Sequence, residues 1–213
     1  MSCVQVDKYK NTAMLLEHII GFFLRPADEW KAIRAEDCRP ATVLLHSLFL
    51  GAIPVISGFI GTTRFGWQIG TAETVKLTNQ SAAVIAICYY VIIIFAIFSV
   101  GWMIHWMGQT YGARQPLSRC IQIAAYIPIP LFLVGITQIY PVLWFNLLIG
   151  IPAAAYTVFL LYTGIPVMME IPEDRGFLFS SAVLAFGLVG LVGLLAATVI
   201  LWGFGLGPVF TSG

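Results

Sequence analysis

The long apolar segments of this chain contain two histidines, His46 and His105. Histidine is a residue type that suits acid–base or metal chemistry. Imidazole titrates near neutral pH and binds metal ions, often beside a carboxylate such as that of Glu173 or Asp174. Both histidines fall toward the same membrane face in the helices predicted below, so they could approach each other. No ligand spacing within one helix supports a metal site, and we expect both histidines to hydrogen-bond to backbone, loop or water.

The four cysteines predict neither a disulfide nor a metal centre. Cys3 and Cys38 precede the first apolar segment, Cys88 and Cys120 fall at different depths of theirs, and no CxxC or Cys/His cluster occurs. The chain lacks HExxH, P-loop and GxSxG motifs, so we predict no enzymatic activity, no metal and no cofactor. Its Lys and Arg residues form no dense stripe, which disfavours a nucleic-acid partner.

The composition is that of a membrane protein. Hydrophobic residues make up 59% of the chain, charged residues 10%, and the mean hydropathy is +0.90, whereas soluble domains carry roughly 25% charged residues. Twelve of the 21 charged side chains precede Pro40. We therefore divide the chain into a polar head (residues 1–40), a transmembrane domain (41–207) and a short tail (208–213), and expect the lipid bilayer to be its main partner.

The charge-free windows predict an all-α integral membrane protein with five transmembrane helices, since a crossing of about 30 Å needs about 20 apolar residues. The window 120–169 is long enough for two spans. We place its turn at residues 138–141, because a proline opens a helix well and the residue before it leaves the helical region. The predicted spans are about 41–61, 82–106, 120–138, 142–168 and 177–202.

One or two amphipathic helices are predicted in the head. Glu17, Gly21 and Arg25 recur at four-residue spacing on one side of the apolar stretch 12–24, with His18 beside them. This pattern predicts an interfacial helix that lies in the membrane plane. The stretch carries charge and has no basic leader or small-residue cleavage site, so we do not interpret it as a signal peptide.

A second surface helix is predicted to begin at Pro26 and to lead to the first span at Pro40. Trp30 and Ile33 are expected to face the bilayer one turn apart, with Trp30 in the headgroup layer. The charged side of this helix has two interpretations, a solvated face that holds the protein at the interface or a docking face for a protein partner. The candidate partner-contact residues are Arg25, Pro26, Trp30, Ile33 and Arg34.

The distribution of Lys and Arg predicts a cytoplasmic N-terminus, because positively charged segments near spans stay on the cytoplasmic side. Nine of the eleven Lys and Arg residues would be inside, and only Arg64 and Lys76 outside. Five spans then place the C-terminus on the outer face. The predicted location is the cytoplasmic (inner) membrane, with several passes through it.

The layout resembles that of the Yip domain family. The resemblance covers roughly residues 12–205 and is carried by the head segment Phe23-Leu24-Arg25-Pro26, which continues to Trp30 and Ile33, by five spans, and by Ala125-Tyr126-Ile127-Pro128 in the third span. Eukaryotic members of that family are Ypt- and Rab-interacting membrane proteins of the early secretory pathway. This chain has neither a long cytosolic N-terminal region nor an Asp-Leu-Tyr-Gly-Pro motif, and so is more similar to the compact prokaryotic members.

Two functions follow as hypotheses. The first, which the resemblance favours, is a non-enzymatic membrane adaptor that uses the head and the loops at 108–119 and 169–176. The second is an uncoupled carrier or channel for a small or lipid-like molecule; proton- or ion-coupled transport is disfavoured, because we expect every ionised side chain to lie in the head or a loop. The candidate pocket residues, in kinked third and fourth spans, are Tyr126, Pro128, Pro130, Asn146 and Pro152.

Small residues four apart predict close helix packing. They would serve either a compact bundle or a homodimer, and the sequence does not choose between them. The pairs are Ser47/Gly51, Ser57/Gly61, Gly193/Ala197 and Gly203/Gly207.

Overall fold

The computed structural model describes residues 16–36, 40–67, 74–204 and 207–212. Its architecture is helical apart from one short ribbon of two strands. The α-helices are α1 (16–24), α2 (Pro26–Ala35), α3 (Pro40–Ile60), α4 (Asn79–Gly108), α5 (Leu117–Tyr126), α6 (Ile129–Val134), α7 (Leu143–Met169) and α8 (Glu173–Gly203). A π-helical turn, Gly61–Phe65, extends α3, and a 3₁₀ turn, Gly135–Ile139, extends α6.

Within the described residues, five segments are long and apolar enough to cross a membrane, which confirms the predicted number. Consecutive spans run in opposite directions, so the head, the α4–α5 loop and the α7–α8 turn meet at one end of the bundle, here called the head side. The segments are Val43–Phe65, Asn79–Gly108, Leu117–Ile139, Leu143–Met169 and Glu173–Gly203.

The third span is a broken helix. Helix α5 ends at Tyr126, α6 begins at Ile129, and the last turn is 3₁₀. Pro128 and Pro130 have no backbone N–H to donate, so the helical hydrogen-bond ladder is interrupted twice within three residues. The sequence predicted a kink here, and the structure has a full break followed by a short, tighter helix.

Two short strands lie at the end of the bundle opposite the head. Strand β1 (Val75–Leu77) pairs antiparallel with β2 (Phe210–Ser212), and Lys76 lies opposite Thr211. This ribbon attaches the C-terminal tail to the start of α4. The prediction of an entirely α-helical fold missed it, because segments of three residues carry too little periodicity to be recognised as strands.

The head packs into the core of the bundle. Phe22, Trp30 and Ile33 are each 0% exposed and belong to the same hydrophobic cluster as residues of α5, α7 and α8. The expectation that Trp30 and Ile33 face the bilayer is therefore wrong. Their apolar face is covered by protein instead of lipid, because helix α7 offers a groove that fits it.

Candidate functional site

The docked head is the feature of this structure that brings the most functional side chains together. At its centre the Trp30 indole lies against the backbone of Gly164 in α7. A Cβ atom added to Gly164 would lie 2.6 Å from Trp30 Cε2 and 2.7 Å from Cζ2. In the described part of the chain Trp30 Nε1 has no hydrogen-bond partner, so packing alone holds the ring. Gly164 is therefore the residue that makes room for the head.

Among the described residues, three hydrogen bonds join the head to the spans; two are accepted by head carbonyls and one is donated by a head side chain. Tyr156 Oη donates to the Phe22 carbonyl at 2.6 Å, and the Phe23 ring stacks on Tyr156 with centroids 5.5 Å apart. Arg119 Nη1 of α5 donates to the Ile33 carbonyl at 3.2 Å. Arg34 Nη1 donates to the Val167 carbonyl near the end of α7 at 3.3 Å.

These contacts show that the head reaches into the bundle. Arg34 contacts α7 near its head-side end, whereas Phe22 contacts Tyr156 near the middle of that helix. At 1.5 Å per residue Tyr156 lies about 20 Å along the helix axis from the end at Met169. The joint between α1 and α2 is therefore the deepest part of the head.

A mostly buried ion pair connects α1 to α2. His18 Nδ1 lies 2.5 Å from Glu29 Oε1, and the two side chains are 6% and 15% exposed. His18 Nε2 lies 3.5 Å from Glu36 Oε2, and the imidazole meets the Tyr126 ring edge-on with centroids 5.8 Å apart. The imidazole therefore lies between two carboxylates, one on each side of its ring.

This pair corrects the sequence-based placement of His18 on the polar side of a surface helix. Both residues belong to the head, as expected for ionisable side chains, but the head is packed into the bundle and so carries the pair out of the solvent. The pair was missed because its members are separated by the Pro26 turn and meet only where the helices nearly touch. The sequence feature that points to this contact is Gly21. A Cβ atom there would lie less than 2 Å from the Glu29 carboxylate, so only glycine lets α1 and α2 approach this closely.

Polar side chains within the spans form hydrogen bonds inside the bundle, as is common between membrane helices. Tyr162 Oη and Ser181 Oγ are 2.8 Å apart, and Tyr90 Oη donates to the Leu48 carbonyl at 3.0 Å. Gln122 is buried and accepts a hydrogen bond from Arg119 Nη1 at 3.3 Å.

The candidate pocket residues do not gather around one cavity. Tyr126 and Pro130 are buried, Tyr126 beside the head, and Pro128 is partly buried. Pro152 is exposed on the outside of α7. Asn146 closes the hairpin between the third and fourth spans: its Nδ2 donates to the carbonyls of residues 140 and 142 at 2.8 and 3.0 Å, and its Oδ1 accepts from residue 137 at 2.8 Å.

A cleft of substantial size lies elsewhere in the described structure. It has a volume of about 930 Å³ and opens at the head side between α2, α7 and the start of α8. None of the candidate pocket residues lines it. Its charged residues are Lys31, Glu173 and Asp174.

The histidines of the first two spans, His46 and His105, lie in different surroundings. His105 Nδ1 lies 3.1 Å from the Gln115 carbonyl, which confirms the expected bond to a loop. His46 is buried in α3. Among the described residues no group of three His, Cys, Asp or Glu side chains has the geometry to hold a metal ion, and His46 and His105 form no such group with Glu173 or Asp174. Cys3 and Cys38 lie outside the described residues.

Comparison with known proteins identifies relatives over almost the whole chain. The Yip1 domain family model matches residues 20–209. Inner membrane protein YohC of Escherichia coli K12 is 39% identical over 191 residues, which cover 89% of this chain and 98% of the relative. Inner membrane protein YohC of Escherichia coli O6:H1 gives the same values. No solved structure matches this chain.

Proposed function

Because this chain belongs to the Yip1 domain family and is a multi-pass inner membrane protein, we propose that it acts as a non-enzymatic membrane adaptor. In this proposal the head, together with the loops at 108–119 and 169–176, is the contact surface for a protein partner. These segments hold nine of the eleven Lys and Arg residues of the chain, which supports a cytoplasmic position for this surface.

The observation that carries the proposal is the rigid attachment of the head. Trp30 and Ile33 are completely buried and hold the helix, while Arg34 is exposed at its head-side end and Arg25 is exposed at the deep joint with α1. A surface fixed in this way presents its charges at constant spacing, so a partner pays little ordering cost when it binds. Among the candidate contact residues, Arg34 at the head-side end of α2 would touch the partner directly. Arg25 and Pro26 lie at the deep joint with α1, so they would act, like Trp30 and Ile33, by positioning α2.

Site-specific photo-crosslinking in cells tests the adaptor. A photoreactive residue at Arg34, at the head-side end of α2, should give one discrete protein adduct, and the same residue at Phe186, on the lipid-exposed side of α8, should give none. The head-side adduct should disappear in a Trp30→Ala background and persist in Trp102→Ala, whose tryptophan is exposed to lipid. Adducts of equal yield from the head and from Phe186 would contradict the proposal.

Topology has its own test. A cysteine introduced at Lys31 in a cysteine-free variant should react with an impermeant maleimide only after the inner membrane is opened. A cysteine at Lys76 should react in intact spheroplasts. The reverse pattern would place the head outside and would remove the basis for a cytoplasmic partner.

A carrier is the second candidate, and the observation in its favour is the buried His18–Glu29 pair beside the broken third span. Ionisable pairs inside membrane proteins commonly mark proton or substrate pathways. Purified protein in liposomes should then move protons or a small solute, and Glu29→Gln should stop the movement. Liposomes as tight as protein-free ones would leave the adaptor as the remaining candidate.

A homodimer stays a prediction, and the surroundings of the glycines favour one helix as its interface. Cβ atoms added to Gly51 and Gly61 would meet Ile93 and Gln138 of the same chain, so these glycines serve the bundle. Cβ atoms added to Gly193 and Gly203 would meet no described atom within 4 Å. A dimer would therefore use α8.

A further inference from the structure

The cleft between α2, α7 and α8 has fixed walls. On one side α2 is held to α7 by the packing of Trp30 on Gly164 and by the hydrogen bond from Arg34 to the Val167 carbonyl. On the other side α8 is held close to α7, because a Cβ atom on Gly176 would lie 2.7 Å from Pro166 Cβ. Contacts within the fold therefore hold both walls of the opening in place. Its volume of about 930 Å³ is within the range of small-molecule sites, roughly 300–1,000 Å³.

The lining divides into a charged rim and an apolar lower wall. Lys31 stands on the α2 side of the rim, and Glu173 and Asp174 stand on the α8 side. Phe177 and Leu178 follow one turn further along α8, and both are exposed. Leu178 is about 8 Å along the helix axis from Glu173 at 1.5 Å per residue. The wall therefore passes from charged to apolar over the distance that separates lipid headgroups from acyl chains.

Lys31 is available to a ligand. Its only described ion pair is with Asp28 at 3.3 Å, and both side chains are more than 60% exposed. Such exposed pairs contribute little and exchange readily with other partners. Glu173 and Asp174 form no salt bridge with any described residue at the distance required for one. The rim thus offers a cation on one side and two carboxylates on the other.

We propose that this cleft binds one phospholipid with a zwitterionic ethanolamine headgroup. The phosphate would bind Lys31, the ammonium would bind Glu173 and Asp174, and an acyl chain would follow Phe177 and Leu178. The inference goes beyond the adaptor function and does not depend on it. Charge complementarity selects this lipid: a phosphatidylglycerol headgroup has no cation for the two carboxylates, and a choline headgroup has no N–H to donate to them.

Native mass spectrometry of the full chain in mild detergent tests this site. Phosphatidylethanolamine, phosphatidylglycerol and phosphatidylcholine of identical acyl chains are added in equal amounts, and the bound lipid is measured. We expect phosphatidylethanolamine to be retained about fivefold more than either of the others, the scale of an exposed ion pair. Glycerophosphoethanolamine, which lacks acyl chains, should not compete. Equal retention of the three lipids, or full competition by the chain-free headgroup, would overturn the proposal.

Variants place the lipid in the cleft. Lys31→Glu should reduce phosphatidylethanolamine retention about fivefold, and Glu173→Gln combined with Asp174→Asn should abolish the preference over phosphatidylglycerol. Lys76→Glu, at the opposite end of the bundle, and Glu170→Gln, at the α7–α8 turn outside the cleft, are the matched controls and should retain it. Unchanged retention in Lys31→Glu, with an unchanged melting temperature, would refute the site. A dimer mass that replaces the lipid adduct, and that Lys31→Glu removes, would refute it in favour of a second copy of the chain.

Discussion

The packing of Trp30 on Gly164 gives the sharpest test of how the head is held. Trp30 is 0% exposed, and an added Cβ on Gly164 would lie 2.6 Å from its indole. Trp30→Ala should therefore open a cavity, and Gly164→Ala should overfill the same space. In the double variant the overpacking should disappear, because the methyl group of the alanine at position 164 then enters the space that the indole has left.

The expected magnitudes follow from these distances. Truncation of a buried Trp costs about 3–5 kcal/mol. Overpacking costs about 1–3 kcal/mol, from which the better helix propensity of Ala over Gly, about 1 kcal/mol, must be subtracted. In the Trp30→Ala background Gly164→Ala should cost nothing or stabilise. The coupling free energy between the two sites should therefore be about 1–3 kcal/mol.

Hydrogen–deuterium exchange of peptides within 16–36 in nanodiscs measures the undocking of the head. Each 1.4 kcal/mol lost accelerates exchange about tenfold, as long as the head reopens and closes faster than it exchanges. Trp102→Ala and Gly187→Ala are the controls, because Trp102 is 59% exposed and a Cβ on Gly187 would meet no described atom within 4 Å. Additive effects of Trp30→Ala and Gly164→Ala, or unchanged exchange in Trp30→Ala, would refute the docked head.

Three further changes test other contacts by thermal unfolding in the same nanodiscs. His18→Ala should destabilise the protein by about 3 kcal/mol because it leaves the Glu29 carboxylate without its buried partner. Adding Glu29→Gln should recover part of this loss. A smaller cost for His18→Ala than for the double variant would contradict the pairing. Asn146→Ala should cost about 2 kcal/mol, because it loses two hydrogen bonds to turn carbonyls and one from Thr137. An effect confined to the head peptides in exchange would contradict its role at the hairpin. Gly61→Ala should destabilise the protein by about 1–3 kcal/mol, the cost of overpacking, since its Cβ would overlap the Gln138 carbonyl. A neutral result would show that the 3₁₀ turn moves aside.

The spans could be predicted from the sequence because lipid imposes one simple requirement on them. A crossing helix must be about 20 residues long and free of unpaired charge, so charge-free windows locate it without any knowledge of tertiary contacts. The hairpin before α7 was equally accessible, since Pro141 marks a chain reversal and the helix begins two residues later. Both signals are local.

The head could not be placed in this way, because its position depends on contacts between distant segments. An apolar helix face looks the same in sequence whether lipid or protein covers it. The difference lies in Gly164, which leaves space for Trp30, and in Tyr156, which donates to the Phe22 carbonyl. Both lie more than a hundred residues away in α7. The broken third span is an intermediate case: Pro128 and Pro130 predict a disturbance, but the tertiary packing decides its size.

Burial of the His18–Glu29 pair follows from the same docking. Two charged groups are costly to remove from water unless they satisfy each other, and a helix lying free on the membrane would keep them solvated. The pair is buried because Phe22, Trp30 and Ile33 draw the head against α5 and α7, which brings His18 beside the Tyr126 ring. A change that undocks the head must therefore also rehydrate the pair, so the apolar contacts and the ion pair should be lost together. If Trp30→Ala accelerates hydrogen exchange in the head without exposing His18 to solvent, or the reverse, then docking of the head and burial of the pair are not coupled.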